Sequence, residues 1–220
     1  IDAVVLTHAH LDHCGYLPKL VKDGFAGKVF TTQFTAKLVD VILRDSARLQ
    51  TEDAKFALRK GFSKHNPPLA LYDEQDAERA IQRISQQPFA TRVQVAEQTF
   101  VTFHPAGHIL GAAYLEVEFF GKRLLFTGDL GREEHPLLSP PGDIPNGHFD
   151  AIVTESTYGD RLHDKVTADF ETAINQTLAR GGSVLIPAFA VDRTEVILVR
   201  LRELVEQKRI PAVPIYADSP

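Results

Sequence analysis

The stretch Thr7-His8-Ala9-His10-Leu11-Asp12-His13, directly after the apolar run Ala3-Val4-Val5-Leu6, constrains this chain more than any other feature. Three imidazoles and one carboxylate fall between positions 8 and 13. They alternate with small or apolar side chains, as expected where one surface faces a metal and the other a core. His8 and His10 are two apart, so in an extended segment leaving a strand they point the same way and can grip one cation. Asp12 and His13 are adjacent and, at a strand-to-helix turn, can aim at a second cation beside the first. Neutral imidazoles and a carboxylate suit zinc, with iron and manganese as the next candidates. The plainer alternative, a polar loop capping a helix that starts near Gly15, leaves three histidines idle. Cys14 could add a soft ligand, but a small buried thiol at a helix start is the simpler reading.

The motif resembles the H-x-H-x-D-H signature of the metallo-β-lactamase superfamily of hydrolases. The resemblance implies an α/β fold, an αββα sandwich of two sheets flanked by helices. Composition allows it: 220 residues with 44% hydrophobic side chains are enough for a real core. No apolar run approaches the roughly 20 residues that span a bilayer, and no signal peptide precedes the first strand. The single Cys14 fits a reducing compartment, so a cytoplasmic location is expected. A net charge of -5 offers no general attraction to nucleic acid, so a polyanionic substrate would need local cations, the metals included. Methionine is absent and the chain opens in a strand, so an excerpt truncated at both ends is expected.

Along the chain, Tyr16 to Lys22 reads as a short helix and Gly27 to Thr32 as a strand, a β-α-β beginning. Phe34 to about Lys60 reads as helical segments interrupted around Thr51-Glu52-Asp53. They either carry substrate contacts or form a plain outer layer. Asp73 to Gln87 reads as a polar helix with a narrow apolar stripe. Strands are expected at Arg92 to Val95, Thr99 to His104, Ala113 to Phe120 and Arg123 to Thr127, with Gly121-Lys122 as a hairpin turn.

Two turns in this β-rich region complete the expected site. Pro105-Ala106-Gly107-His108-Ile109-Leu110-Gly111 frames one histidine with glycines, where backbone can bend close to a metal. With the resemblance, that frame makes His108 the third imidazole on the cation of His8 and His10. Leu125-Phe126-Thr127-Gly128-Asp129 ends an apolar strand in Gly-Asp, where Asp129 could bridge both cations. His65, His104, His135, His148 and His163 are assigned to surface or supporting roles, with His104 a candidate buttress of the His108 loop.

Ala151-Ile152-Val153-Thr154-Glu155-Ser156-Thr157-Tyr158-Gly159 narrows the resemblance to the β-CASP branch, the nucleic-acid-cleaving enzymes. Gly181 to Val191, then a helix, then a strand ending in Asp218-Ser219-Pro220 is similar to that branch too. The resemblance implies a metallo-β-lactamase core over 1–159 and the start of a β-CASP domain over 160–220. Where the branch has glycine before arginine, this chain has Asp192, with Glu195 placed to complete a capping box.

The implied activity is metal-dependent cleavage of RNA, single-stranded by preference, through attack of a metal-bridging hydroxide, with Asp12 and Glu155 as catalytic candidates. The metal ligands are His8, His10, Asp12, His13, His108 and Asp129. Two zinc ions serve the complete enzyme, but the family's further histidine for the second has no match after Glu155. The excerpt should therefore bind one cation tightly, the other weakly, and be inactive alone. An oligomer is compatible with the sequence. Hydrolysis of a small ester, thioester or lactam, and a catalytically silent scaffold subunit of an RNA-processing complex, are the alternatives.

Overall fold

Parallel pairing of the first two strands sets the site's position. β1 (Ala3–Val5) lies beside β2 (Lys28–Thr32) with Val4 opposite Val29. Short helices α1 (Leu11–Cys14) and α2 (Leu17–Lys22) occupy the crossover between them. The structure is a computed structural model and describes residues 1–161 and 169–218. His163, Ser219 and Pro220 lie outside the described residues.

After β2 comes α3 (Gln33–Lys60), a single unbroken helix without the expected interruption at Thr51-Glu52-Asp53. Polar residues there keep the helical ladder intact. Thr51 Oγ1 donates to the Ala47 carbonyl at 2.8 Å, and Arg48 pairs with Asp45 and Glu52 at 2.8 and 3.4 Å. The first true breaker is Gly61, which closes the helix at φ 68°.

The polar helix expected over 73–87 is shorter. α4 (Glu74–Ile81) starts at a capping box in which Asp76 N–H donates to Asp73 Oδ1 at 2.9 Å and Asp73 N–H to Asp76 Oδ2 at 3.1 Å. Its continuation is β3 (Ile84–Gln87), parallel to β2 on the side away from β1. Ile84 suits a helical stripe and a strand equally; hydrogen bonding to the β2 backbone decides for the strand.

A second sheet follows in the order β4 (Arg92–Ala96), β5 (Thr99–Pro105), β6 (Ala113–Phe119), β7 (Lys122–Phe126), β8 (Ala151–Val153). Its pairs are antiparallel except β7 with β8. Phe119 pairs with Lys122, so the hairpin turn is Phe120-Gly121, at φ 47° and 77°, one residue earlier than expected. The primed turn matches the strand twist and outweighs the strain at Phe120. Phe30 of the first sheet packs with Val101, Phe103, Ala113 and Leu115 of the second, so the core lies between two layers. α3 lies against β2 and β3 and also contacts α4. This is the mixed α/β sandwich that the sequence implied.

The chain divides into two compact units, Ile1–Glu155 and Ser156–Pro220. In the second, α5 (Asp169–Ala179) and α6 (Arg193–Glu206) enclose Ile174, Leu201, Leu204 and Ile210. The capping box expected at Asp192 is not formed: its side chain makes no cap hydrogen bond, and its backbone has φ 73° and ψ -61°. Arg193 N–H donates to the Val191 carbonyl at 3.1 Å, closing a γ-turn centred on Asp192. A side chain is strained there and glycine is not. Asp192→Gly is therefore expected to stabilise the second unit by about 1 kcal/mol, read as a higher urea midpoint; an unchanged or lower midpoint contradicts the strained turn. The strand expected before Asp218 has no ladder partner among the described residues. Among these residues no helix is long and apolar enough to cross a membrane.

Candidate metal centre

Three separate segments deliver the ligand atoms. His8 and His10 follow β1, His108 sits in the loop from β5 to β6, and Asp129 follows β7. One ligand atom from each of these four lies within 4.8 Å of the others. Asp129 Oδ2 is 3.7 Å from His8 Nε2 and 3.4 Å from His108 Nε2. His108 Nε2 stands 3.1 Å from His10 Nδ1. Two nitrogens on a tetrahedral zinc with ordinary bond lengths stand about 3.3 Å apart, so these spacings fit such an ion.

His8 gives the stronger sign. The residue is 0% exposed and its Nε2 has no hydrogen-bond partner. A buried orphan nitrogen is costly unless something absent from the protein itself binds it. Burial, then the charges of His13, His108 and His10, push the His8 imidazole down to about 2, so it stays neutral and able to ligate. His10 is lowered as well, by burial first and by His108 next.

The opposite carboxylate oxygen, Asp129 Oδ1, is 3.3 Å from His13 Nε2, and His13 Nε2 is 3.3 Å from Asp12 Oδ2. Asp129 thus touches both halves of the opening motif. The Asp12 side chain is 79% exposed, so the Asp12 side of the cluster opens to solvent. Cys14 turns away: it is buried, its thiol donates to the Ala9 carbonyl at 3.3 Å, and burial pushes it up to about 12.

A model of the metallo-beta-lactamase superfamily matches residues 1–158. The chain belongs to that superfamily. Along its whole length it is 34% identical to Ribonuclease TTHA0252 of Thermus thermophilus and 31% to an RNase J-like protein of Methanocaldococcus jannaschii. It is 35% identical to cleavage and polyadenylation specificity factor subunit 3-I of Arabidopsis thaliana. The chain spans 47%, 48% and 30% of these relatives respectively.

The superfamily's loops are locked here by contacts that the sequence reading missed. Thr32 and Thr35, at the start of α3, both donate hydroxyls to the Gly111 carbonyl, at 2.6 and 2.8 Å. A side chain at Gly111 would collide with Phe34 and the Thr35 backbone, so glycine lets the His108 loop close on the helix. Gly131 N–H donates to the Ala106 carbonyl at 2.8 Å, tying the Asp129 loop to the His108 loop. Thr7 Oγ1 is 3.1 Å from His8 Nδ1. With Nδ1 donating to it, Nε2 keeps its lone pair for a cation. Only Thr7, next to the motif, carried a sequence signal.

Glu155 meets the Asp129 loop through the backbone. Its Oε1 accepts from Leu130 N–H at 2.8 Å, so it braces the backbone next to Asp129. His104 stacks on Tyr114 with centroids 4.8 Å apart and faces Glu116 at 3.5 Å. Tyr114 in turn donates its hydroxyl to the Asp143 carbonyl at 2.6 Å. The ring lies on the face of the β5–β6 pair opposite Val101, Phe103 and Leu115.

Proposed function

We propose that this metallo-β-lactamase superfamily member hydrolyses RNA phosphodiesters with divalent metal, zinc first, and manganese or iron as substitutes. The convergence of His8, His10, His108 and Asp129 on one buried, orphaned imidazole nitrogen carries the reading. Relatives named as ribonucleases and as a cleavage factor support RNA as the substrate.

Bound there, divalent cations supply Lewis acidity and an activated water. His8, His10, His108 and Asp129 would hold the first cation, and Asp12, His13 and Asp129 the second. Asp129, the carboxylate common to both sets, would offset part of the positive charge gathered there. Asp12 marks the side of the cluster that is open to solvent and so to a substrate. Glu155 holds the Asp129 loop and, with substrate present, gives a proton to the departing sugar oxygen. Residues 160–220 are the start of a β-CASP-type domain, and the enzyme works in the cytoplasm.

The second cation has only three protein ligands among the described residues. Residues 1–220 are expected to hold one tight zinc equivalent and to be inactive by themselves; two tight equivalents by metal analysis would contradict that ligand count. The decisive assay uses the intact protein on end-labelled single-stranded RNA. Glu155→Gln keeps an acceptor for Leu130 N–H but has no acidic proton, so kcat is expected to fall by about 100-fold or more. An unchanged kcat leaves Glu155 a positioning residue only. Turnover of a thioester with RNA left intact would overturn the nuclease reading.

A further inference from the structure

The far end of α3 carries a feature the metal centre does not use. Residues 54–72 contain Lys55, Arg59, Lys60 and Lys64 and no acidic residue, in a chain whose net charge is -5. All four cations are exposed. The carboxylates on earlier turns are already engaged: Asp40 with Arg44, and Asp45 and Glu52 with Arg48. Asp53 is the last acidic side chain before the run.

Aromatic surface lies among these cations. Phe56 is 45% and Phe62 65% exposed, and their rings meet edge to face at 5.9 Å. Arg59 and Lys60 each stand 5.9 Å from the Phe56 ring centre. Exposed rings are costly in water, and a solvated helix end has no need of two. Cations flanking open aromatic faces match a polymer of phosphates and stackable bases. An acidic protein would match the cations but leave the rings unused, and the rings decide for a nucleic acid.

Position adds a reason. α3 begins at Thr32 and Thr35, which hold the Gly111 carbonyl of the His108 loop. Lys55 is twenty-two residues beyond the first residue of that helix, which at the usual rise puts it about 33 Å along the axis. A strand held at this end could run along the same unit toward the metal ligands. We propose that Lys55, Phe56, Arg59, Lys60, Phe62 and Lys64 form a docking surface for single-stranded RNA, apart from the metal centre. This deepens the nuclease reading and rests on it for the identity of the strand.

The test measures binding of a fluorescent single-stranded RNA to the metal-free protein by anisotropy, over a series of salt concentrations. Replacing the four cations with glutamine is expected to weaken binding by about tenfold or more and to flatten the salt dependence. Phe56→Ala with Phe62→Ala is expected to weaken it by about fivefold or more with the salt slope unchanged. A control removes Lys28, Arg180, Arg202 and Lys208, the same charge from elsewhere. An equal loss in the control overturns the surface, as does polyglutamate competing as well as RNA. Cleavage of the same RNA with zinc is followed in parallel, with the substitutions placed in the intact protein. Binding lost in both variants while no protein cleaves leaves the surface standing and removes the nuclease reading. Cleavage with binding unchanged in both variants overturns the surface alone.

Discussion

Asp129→Asn is expected to lose tight zinc binding and RNA cleavage together, with kcat/KM falling by well over about 100-fold. Groups that only support ligands are worth up to about 100-fold, and this carboxylate touches the ligands directly. It lies 3.3 to 3.7 Å from His13, His108 and His8, an anion set against three imidazoles. The amide has nearly the same shape, so the sandwich and its circular dichroism should survive. Calorimetric titration with zinc and single-turnover cleavage read the outcome. Zinc affinity equal to that of the unmodified protein would show that the four-residue cluster is not the metal centre.

The metal-free protein is expected to lose stability steadily as the pH drops below 6.5. His8 titrates near 6.5 when unfolded but is held down to about 2 in the fold. Above pH 6.5 it is neutral in both states and adds no pH dependence. Below that, the unfolded chain takes up a proton that the folded chain refuses, so folding weakens by about 1.4 kcal/mol per pH unit from this residue. His10 shifts in the same direction and adds to the slope. Zinc opposes the effect, because it binds the folded neutral imidazoles. At a free concentration of about 1,000 times its Kd it stabilises by about 4 kcal/mol. Urea unfolding at pH 7, 6 and 5, with and without zinc, reads both terms. His8→Gln should flatten the metal-free slope; an unflattened slope would mean that the buried imidazole is not the source.

The opening motif was legible because its ligands are neighbours in sequence, and two-residue spacing on extended backbone puts His8 and His10 on one side. His108 and Asp129 were legible only through glycine-bearing turns at strand ends taken together with the family resemblance. Glu155 was singled out for its sequence context, yet its hydrogen bond to Leu130 N–H was not foreseeable, since every residue carries that donor. Tertiary context also overrode local reading elsewhere. Thr51 to Asp53 look like an interruption until their side chains bond along the helix. Ile84 to Gln87 continue a helical pattern until the edge of β2 pairs with them.

By itself the amino-acid sequence determined which side chains can bind a metal, the alternation that makes two sheets, and the family resemblance, because all of these are written in the order of side-chain types. Only the tertiary structure decided that His8 Nε2 is buried without a partner, that Asp129 touches both halves of the opening motif, and that Gly111 is clamped by two threonine hydroxyls. Those outcomes depend on backbone groups and distances between segments roughly 80 to 120 residues apart in the chain, set by packing across the whole sandwich. No local pattern of residues encodes them.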